Sequence, residues 1–396
     1  MAMASSLPAE LLLEIVARSD AATFMRCAAA CKSFRRDILS PAFVRRVCRA
    51  PDGIFPARLL GLLGKTFSLV HPATPAAASF AGGHLAPFVS RVAAGLLTEY
   101  RPVTSRGGLV LLERRAIDSW RQPRSEHRRA DELCVYNPIT GDRSFLPLQP
   151  DIGRDADRSR HNYTMYTYVL LTAGDGIVTG CSFLLLAVDM SGLKDPCENC
   201  IRVQTVSSDA GGLWGPVTRV HHTPTPNWSE LADFHEAGVV LGGVVHWLIY
   251  YGSYILTYDA VGTGTAGRIE LSMDHRRLRA CDCRLDSWPD GRLSLFGIEM
   301  SRVSVWVLSE GGWARHATVE TRAALRSLMV PRANATTVCN FYHYISFGNH
   351  RSGVVILLAT HGDFCFCDLF MVDMETKEIR TTGEVFGTLY ELDVHS

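Results

Sequence analysis

Several short stretches of this chain carry residue types at spacings from which chemistry can be built. Gly262-Thr263-Gly264-Thr265-Ala266-Gly267 fits the pattern G-x-G-x-x-G and follows an apolar run. A dinucleotide site of that kind needs a helix directly after the glycines, because the pyrophosphate rests on the helix N-terminus. Here Arg268-Ile269-Glu270-Leu271-Ser272 alternates with period two, so the glycines read as a hairpin loop between strands. Leu59 to Thr66 ends like a phosphate loop, in Gly64-Lys65-Thr66, but Leu59 stands where the first glycine belongs and no helical pattern follows. Cys197-Glu198-Asn199-Cys200 has the spacing of half a zinc site. A structural site needs four ligands, and His221-His222 is the pair that could complete it. Cys281 and Cys283, like Cys365 and Cys367, alternate on strand-like segments and share a face, as small buried apolar side chains do. There is no His-Glu-x-x-His run, no Gly-x-Ser-x-Gly elbow and no paired carboxylates. These residues point to no catalytic set, no cofactor and no metal.

Binding chemistry is better represented. Between Glu113 and Glu132, Arg114, Arg115, Arg121, Arg124, Arg128 and Arg129 surround Trp120 and His127. The segment joins two strand-like runs and is too long and polar to be core, so it is expected to be an exposed loop. Arg and Trp together are favoured at interaction hot spots, which makes Arg114, Arg115, Trp120 and Arg128 candidate contacts for a protein ligand. A solvated insertion is the alternative, its charge offset by Glu113, Asp118, Glu126, Asp131 and Glu132.

The elements that must position such a loop are β-strands. From Gly107 onward, β-branched and aromatic runs alternate with Gly, Asn and Asp turns, and no long amphipathic helix is evident. Short helices are conceivable only at Ser229–Glu236 and Thr321–Met329. Residues Pro51 to Pro102 are rich in Ala, Gly and Pro, with short strand candidates such as Lys65–Val70. A loose repeat recurs, strand, loop, strand, tight turn, strand. It opens at Gly108, Gly243, Gly291 and Gly353, with a weaker copy from Cys181 to Val220. The last three openings lie 48 and 62 residues apart, near the period of propeller blades. One such meander cannot hide its apolar faces, whereas blades stacked around an axis can. The expected fold class is mainly β, a β-propeller-like repeat domain over residues 53–390 with five to seven blades. A pair of β-sandwiches is the competing architecture.

Residues 1–50 differ in texture. Pro8 suits the first turn of a helix, where its missing N–H is not needed. Leu11, Leu12, Ile15 and Val16 then recur at helical spacing. Ser19-Asp20 stops this helix and caps a second, which carries Phe24, Cys27, Ala28 and Cys31 on one side; a third leads into Pro41. Fifty residues bury too little apolar surface to stand alone, so this hook implies a partner.

Leu7-Pro8, Glu10-Leu11-Leu12-Leu13-Glu14-Ile15, Cys31-Lys32-Ser33-Phe34-Arg35-Arg36 and Ser40-Pro41-Ala42-Phe43 fall at the spacing of an F-box. The hook resembles that three-helix module, by which subunits of SCF-type ubiquitin ligases bind an adaptor. Ser19-Asp20 replaces the Leu-Pro often found between its first helices, and Phe34 stands where Trp is common. The run Val135-Tyr136-Asn137-Pro138-Ile139-Thr140-Gly141 is similar to a turn of F-box-associated propellers in plant proteins. The resemblance implies a non-catalytic substrate receptor. Leu7, Pro8, Leu12, Ile15, Cys31, Phe34, Leu39 and Phe43 would dock on a Skp-family adaptor, joined to a cullin scaffold, and the β domain would hold a target protein. Some of the eight could instead form the hook's own small core.

Composition agrees with such a chain. Of 396 residues, 47% are hydrophobic and 20% charged, with 40 basic against 40 acidic side chains. A net charge of zero gives no pull toward nucleic acid or anionic membrane. Residues 1–50 alone carry eight Lys or Arg against four acids, an excess suited to the acidic adaptor that the resemblance implies. Met1-Ala2-Met3-Ala4 lacks a basic leader region, and no apolar run reaches the length of a membrane span. The expected location is cytoplasmic or nuclear, with the twelve cysteines reduced.

Overall fold

The computed structural model describes residues 8–17, 27, 37–38, 43, 58–63, 67–72, 83, 86–114, 133–138, 141–146, 152, 166–177, 181–193, 198–221, 238–249, 254–271, 283–288, 290–299, 302–321, 344–347, 354–361, 366–383 and 388–393. Ser229–Glu236 and most of Thr321–Met329 lie outside them. The chain divides into two compact units: residues 1–117, 134–144 and 387–396, and residues 118–133 and 145–386.

Among the described residues the second unit contains four antiparallel sheets of four strands, each built from consecutive strands in chain order. They are β7 (Tyr166–Thr172), β8 (Phe183–Asp189), β9 (Cys200–Ser207) and β10 (Thr218–His221); β11 (Val239–Leu241), β12 (Val244–Ile249), β13 (Tyr254–Asp259) and β14 (Ala266–Glu270); β15 (Cys283–Ser287), β16 (Leu293–Glu299), β17 (Arg302–Ser309) and β18 (Gly312–Glu320); and β19 (Tyr344–Phe347), β20 (Val354–His361), β21 (Phe366–Asp373) and β22 (Ile379–Gly383). Strands exposed to solvent on neither face read as continuous Val, Ile and Leu runs, which is why β8, β12 and β17 dominate the sequence pattern. Each sheet hides one face against the next. Leu186 and Val188 of β8 share a core with Val245, Trp247 and Tyr254 of the following sheet. Leu248 and Ile255 pack with Leu285, Leu295 and Trp306. Val303, Val305 and Val307 pack with Phe370 and Val372.

The first unit contains another four-stranded sheet, β3 (Tyr100–Arg106), β4 (Leu109–Arg114), β5 (Leu133–Tyr136) and β6 (Arg143–Leu146), whose last strand runs across the division. It also holds a three-stranded sheet in the order β2 (Phe67–Pro72), β1 (Arg58–Leu63), β23 (Thr388–Asp393). There the strand nearest the C-terminus pairs antiparallel with β1, from Arg58 opposite Asp393 to Leu63 opposite Thr388, and also packs beside β3. The fold is mainly β, and its repeated four-stranded antiparallel sheets are propeller-like.

Three differences from the sequence expectation have physical causes. The repeat has four strands, because the strand before three of the opening glycines is brief: β11 has three residues, β19 four and β15 five. The strand expected at Lys65–Val70 runs Phe67–Pro72. The Ala-, Gly- and Pro-rich stretch holds a helix, α2 (Ala86–Glu99), not evident from its composition. Its buried residues Val89, Ala93, Leu96 and Leu97 keep helical spacing, and Ser90, Arg91, Thr98 and Glu99 are exposed on the other side, an amphipathic pattern masked by the Ala, Gly and Pro around it.

Candidate interaction surfaces

Helix α1 (Ala9–Ala17) starts directly after Pro8, whose carbonyl accepts hydrogen bonds from the N–H groups of Leu11 and Leu12, both at 3.1 Å. Its apolar residues divide. Val16 is buried at 2% exposure, Leu12 and Leu13 are half-buried, and Leu11 and Ile15 stand 50% and 55% exposed. Leu11 and Ile15 are four residues apart, so they form a pair on one face. Of the residues expected to meet an adaptor, Pro8 and Ile15 are exposed, Leu12 is half-buried and Phe43 is buried within the chain. Leu7, Cys31, Phe34 and Leu39 lie outside the described residues. Ile38, fully buried, and Leu11, half exposed, are absent from the expected set. Periodicity placed Leu11 on the stripe but could not tell which edge of the stripe faces out.

The Arg-rich stretch begins at the end of β4. Arg114 is exposed, with a guanidinium nitrogen 3.8 Å from the Glu99 carboxylate at the end of α2. Arg115, Trp120 and Arg128 lie outside the described residues.

The glycine loop at 262–267 is a β13–β14 hairpin, closed by a carboxylate. Asp259 accepts from the Gly262 N–H (2.8 Å), the Thr263 N–H (2.7 Å) and the Thr263 hydroxyl (3.0 Å). These N–H groups are the ones a phosphate would need, and a fixed anion already occupies them. The Thr263 and Gly262 amides hold the Asp259 carboxyl below its ordinary range. A Cβ on Gly262 would sit 2.5 Å from Asp259 Oδ2, so the loop requires glycine there. Related turns close β5 and β21. The Gly141 N–H donates to the Asn137 carbonyl at 2.8 Å, and Asp373 accepts from the N–H groups of Glu375 and Thr376, both at 2.9 Å. Leu59 to Leu63 lies in strand β1, which pairs antiparallel with β2.

Cys200 is a buried free thiol on β9, and burial pushes its pKa up. Cys197 and His222 lie outside the described residues, as do Cys281 and Cys365; Cys283 is buried on β15. Among the described residues, no three His, Cys, Asp or Glu side chains are grouped to hold a metal ion. Burial likewise drives the Cys134 thiol up to about 11 and the Tyr136 hydroxyl up to about 12, so both stay protonated in the core. No helix among the described residues is long and apolar enough to cross a membrane.

Helix α1, with its exposed apolar edge, precedes the propeller-like β-sheets in the chain. Residues 4–50 match the F-box-like family model. Residues 70–381 match the family described as "Domain of unknown function (DUF7595)", and the chain belongs to that family. No curated protein matches it. Among solved structures it is similar to the β-propeller domain of the Trilobed protease from Pyrococcus furiosus, at 11% identity over 72% of this chain and 84% of that one, with a TM-score of 0.30. A periplasmic gluconolactonase of Pseudomonas aeruginosa is 12% identical over 72% of this chain and 70% of that one, with a TM-score of 0.35. A protein from Lactobacillus plantarum is 11% identical over 73% and 70%, also at 0.35.

Proposed function

We propose that the chain is a substrate-receptor subunit of an SCF-type ubiquitin ligase in the cytoplasm or nucleus. Residues 1–50 dock on a Skp-family adaptor linked to a cullin, and residues 53–390 hold a target protein. The observation that carries this reading is the F-box-like match over residues 4–50, together with the exposed Leu11–Ile15 edge of α1. Pro8, Leu12 and Ile15 supply adaptor contacts on α1, with Leu7, Cys31, Phe34 and Leu39 on the remainder of the hook. Phe43 completes the set of eight contacts and is buried within this chain. Arg114, Arg115, Trp120 and Arg128 are target contacts. Catalysis in such an assembly is proximity: the receptor raises the effective concentration of target lysines near a ubiquitin thioester, and no residue of this chain makes or breaks a bond.

The full chain co-expressed with a Skp-family adaptor is expected to co-purify with it, and Leu7→Ala with Pro8→Ala to abolish this. Undiminished recovery of the double variant with the adaptor overturns the docking assignment. The other reading, a binding module outside any ligase, is distinguished by adaptor recovered without cullin.

A further inference from the structure

Four of the 40 basic side chains are lysines, and of these Lys377 is the one among the described residues; Lys32, Lys65 and Lys194 lie outside them. Lys377 stands in the β21–β22 turn, where the Asp373 N–H donates to the Glu378 carbonyl at 2.9 Å. Its φ is 61°, in the left-handed region. The β5–β6 turn has the same build: the Asn137 N–H donates to the Asp142 carbonyl, likewise five residues on, at 3.0 Å. There the place of Lys377 is taken by Gly141, at φ 75°. Gly264, Gly291 and Gly312 supply the left-handed residue of the turns that lead into β14, β16 and β18. Among the described residues Asn199 is the one other non-glycine at positive φ, and asparagine tolerates that region. A lysine does not, because its Cβ is pressed toward the following carbonyl oxygen.

Strain kept where glycine would relieve it points to a use for the side chain. The turn is firmly held: Met374 is buried in the core with Val303, Val305 and Phe370, and the Asp373 carboxylate accepts from the Glu375 and Thr376 N–H groups. Lys377 itself is exposed. The neighbouring Glu378 pairs with Arg380, and no described carboxylate pairs with the Lys377 amine. Asp373, Glu375 and Glu378 outnumber the one lysine of the turn, so it does not gather phosphate or nucleic acid. What remains to an exposed primary amine is nucleophilic chemistry.

We propose that Lys377 is an acceptor of ubiquitin within the chain's own assembly. The inference rests on the receptor reading, which brings a ubiquitin thioester close to this chain. The amine gives up a proton to a base of the conjugating enzyme and attacks the thioester carbonyl carbon. A C–N bond forms, the C–S bond breaks, and the sulfur leaves as a thiolate that takes up a proton, with one proton released overall. In transfer to a target no residue of this chain reacts; here Lys377 takes the target's place as substrate. Arginine, the chain's usual basic residue, cannot do so, since its guanidinium stays protonated. Modification of this turn competes with transfer to a bound target, so a receptor holding no target is the one modified.

The test assembles the full chain with a Skp-family adaptor, a cullin scaffold, the ubiquitin-activating and ubiquitin-conjugating enzymes, ubiquitin and ATP, with no target added. Tryptic digestion and mass spectrometry are expected to find the diglycine remnant of ubiquitin on Lys377. Lys377→Arg keeps the charge and the strained backbone without the nucleophile, and is expected to lose most of the ubiquitin that the chain takes up. Lys377→Gly is expected to lose it too, and to raise the melting temperature by about 1–2 °C through relief of the left-handed conformation. Ubiquitin found only on Lys32, Lys65 or Lys194, unchanged uptake by Lys377→Arg, or no gain in melting temperature with Lys377→Gly would each overturn the proposal. A chain that joins the assembly and takes ubiquitin elsewhere refutes this inference alone. A chain that joins neither adaptor nor cullin refutes the receptor reading and this inference with it.

Discussion

Leu11→Ala with Ile15→Ala is the perturbation that most cleanly separates folding of the hook from its docking. Both side chains project from α1 with about half of their surface in solvent, at 50% and 55%. Burying a Leu or Ile side chain completely is worth about 1.5–3 kcal/mol, so burying the exposed half on a partner is worth about 0.8–1.5 kcal/mol each. Removing both therefore costs about 1.5–3 kcal/mol of binding, roughly a 10- to 100-fold weaker dissociation constant at 1.4 kcal/mol per decade. Alanine is the strongest helix former, so the helix itself does not lose by the exchange. Val16, at 2% exposure, is the control on the inner face. Val16→Ala leaves a cavity, lowers stability, and changes affinity only through folding. Isothermal titration with a Skp-family adaptor reads the affinity, and circular dichroism melting reads the fold. If the double variant binds as tightly as the parent while Val16→Ala binds tenfold worse, the outward edge of α1 is not the docking edge.

Two further outcomes follow from the hairpins and the core. Asp259→Ala removes the acceptor of three hydrogen bonds in the β13–β14 turn, an arrangement like a helix N-cap, and is expected to cost about 1 kcal/mol in a urea titration; an unchanged midpoint would contradict the geometry. His246 is buried on β12, with Nδ1 3.3 Å from the Val239 carbonyl, and burial depresses its pKa. The folded state then prefers the neutral ring, so its contribution is intact above the unfolded value near 6.5 and is lost as the pH falls below it. Wild type is expected to lose more melting temperature between pH 7.5 and 5.5 than His246→Asn does; equal losses would place the acid sensitivity elsewhere.

The sheets were legible where strands are buried on both faces, since runs such as Val303–Leu308 leave only one way to hide their side chains. The hairpin reading of Gly262–Gly267 was legible too, because Arg268 to Leu271 alternates where a helix would not. What the sequence conceals is orientation. Leu11 and Val16 are both apolar on one short helix, and only packing decides that one is exposed and the other buried. Helix α2 was hidden by the Ala-, Gly- and Pro-rich stretch that contains it, although Ser90, Arg91, Thr98 and Glu99 mark an exposed polar side.

The most direct test of the receptor account is the mass of the assembly that the full chain forms with a Skp-family adaptor and the adaptor-binding region of a cullin. Light scattering on the purified mixture is expected to give a single species with one copy of each. A chain that elutes alone, beside an intact adaptor–cullin pair, would contradict the account.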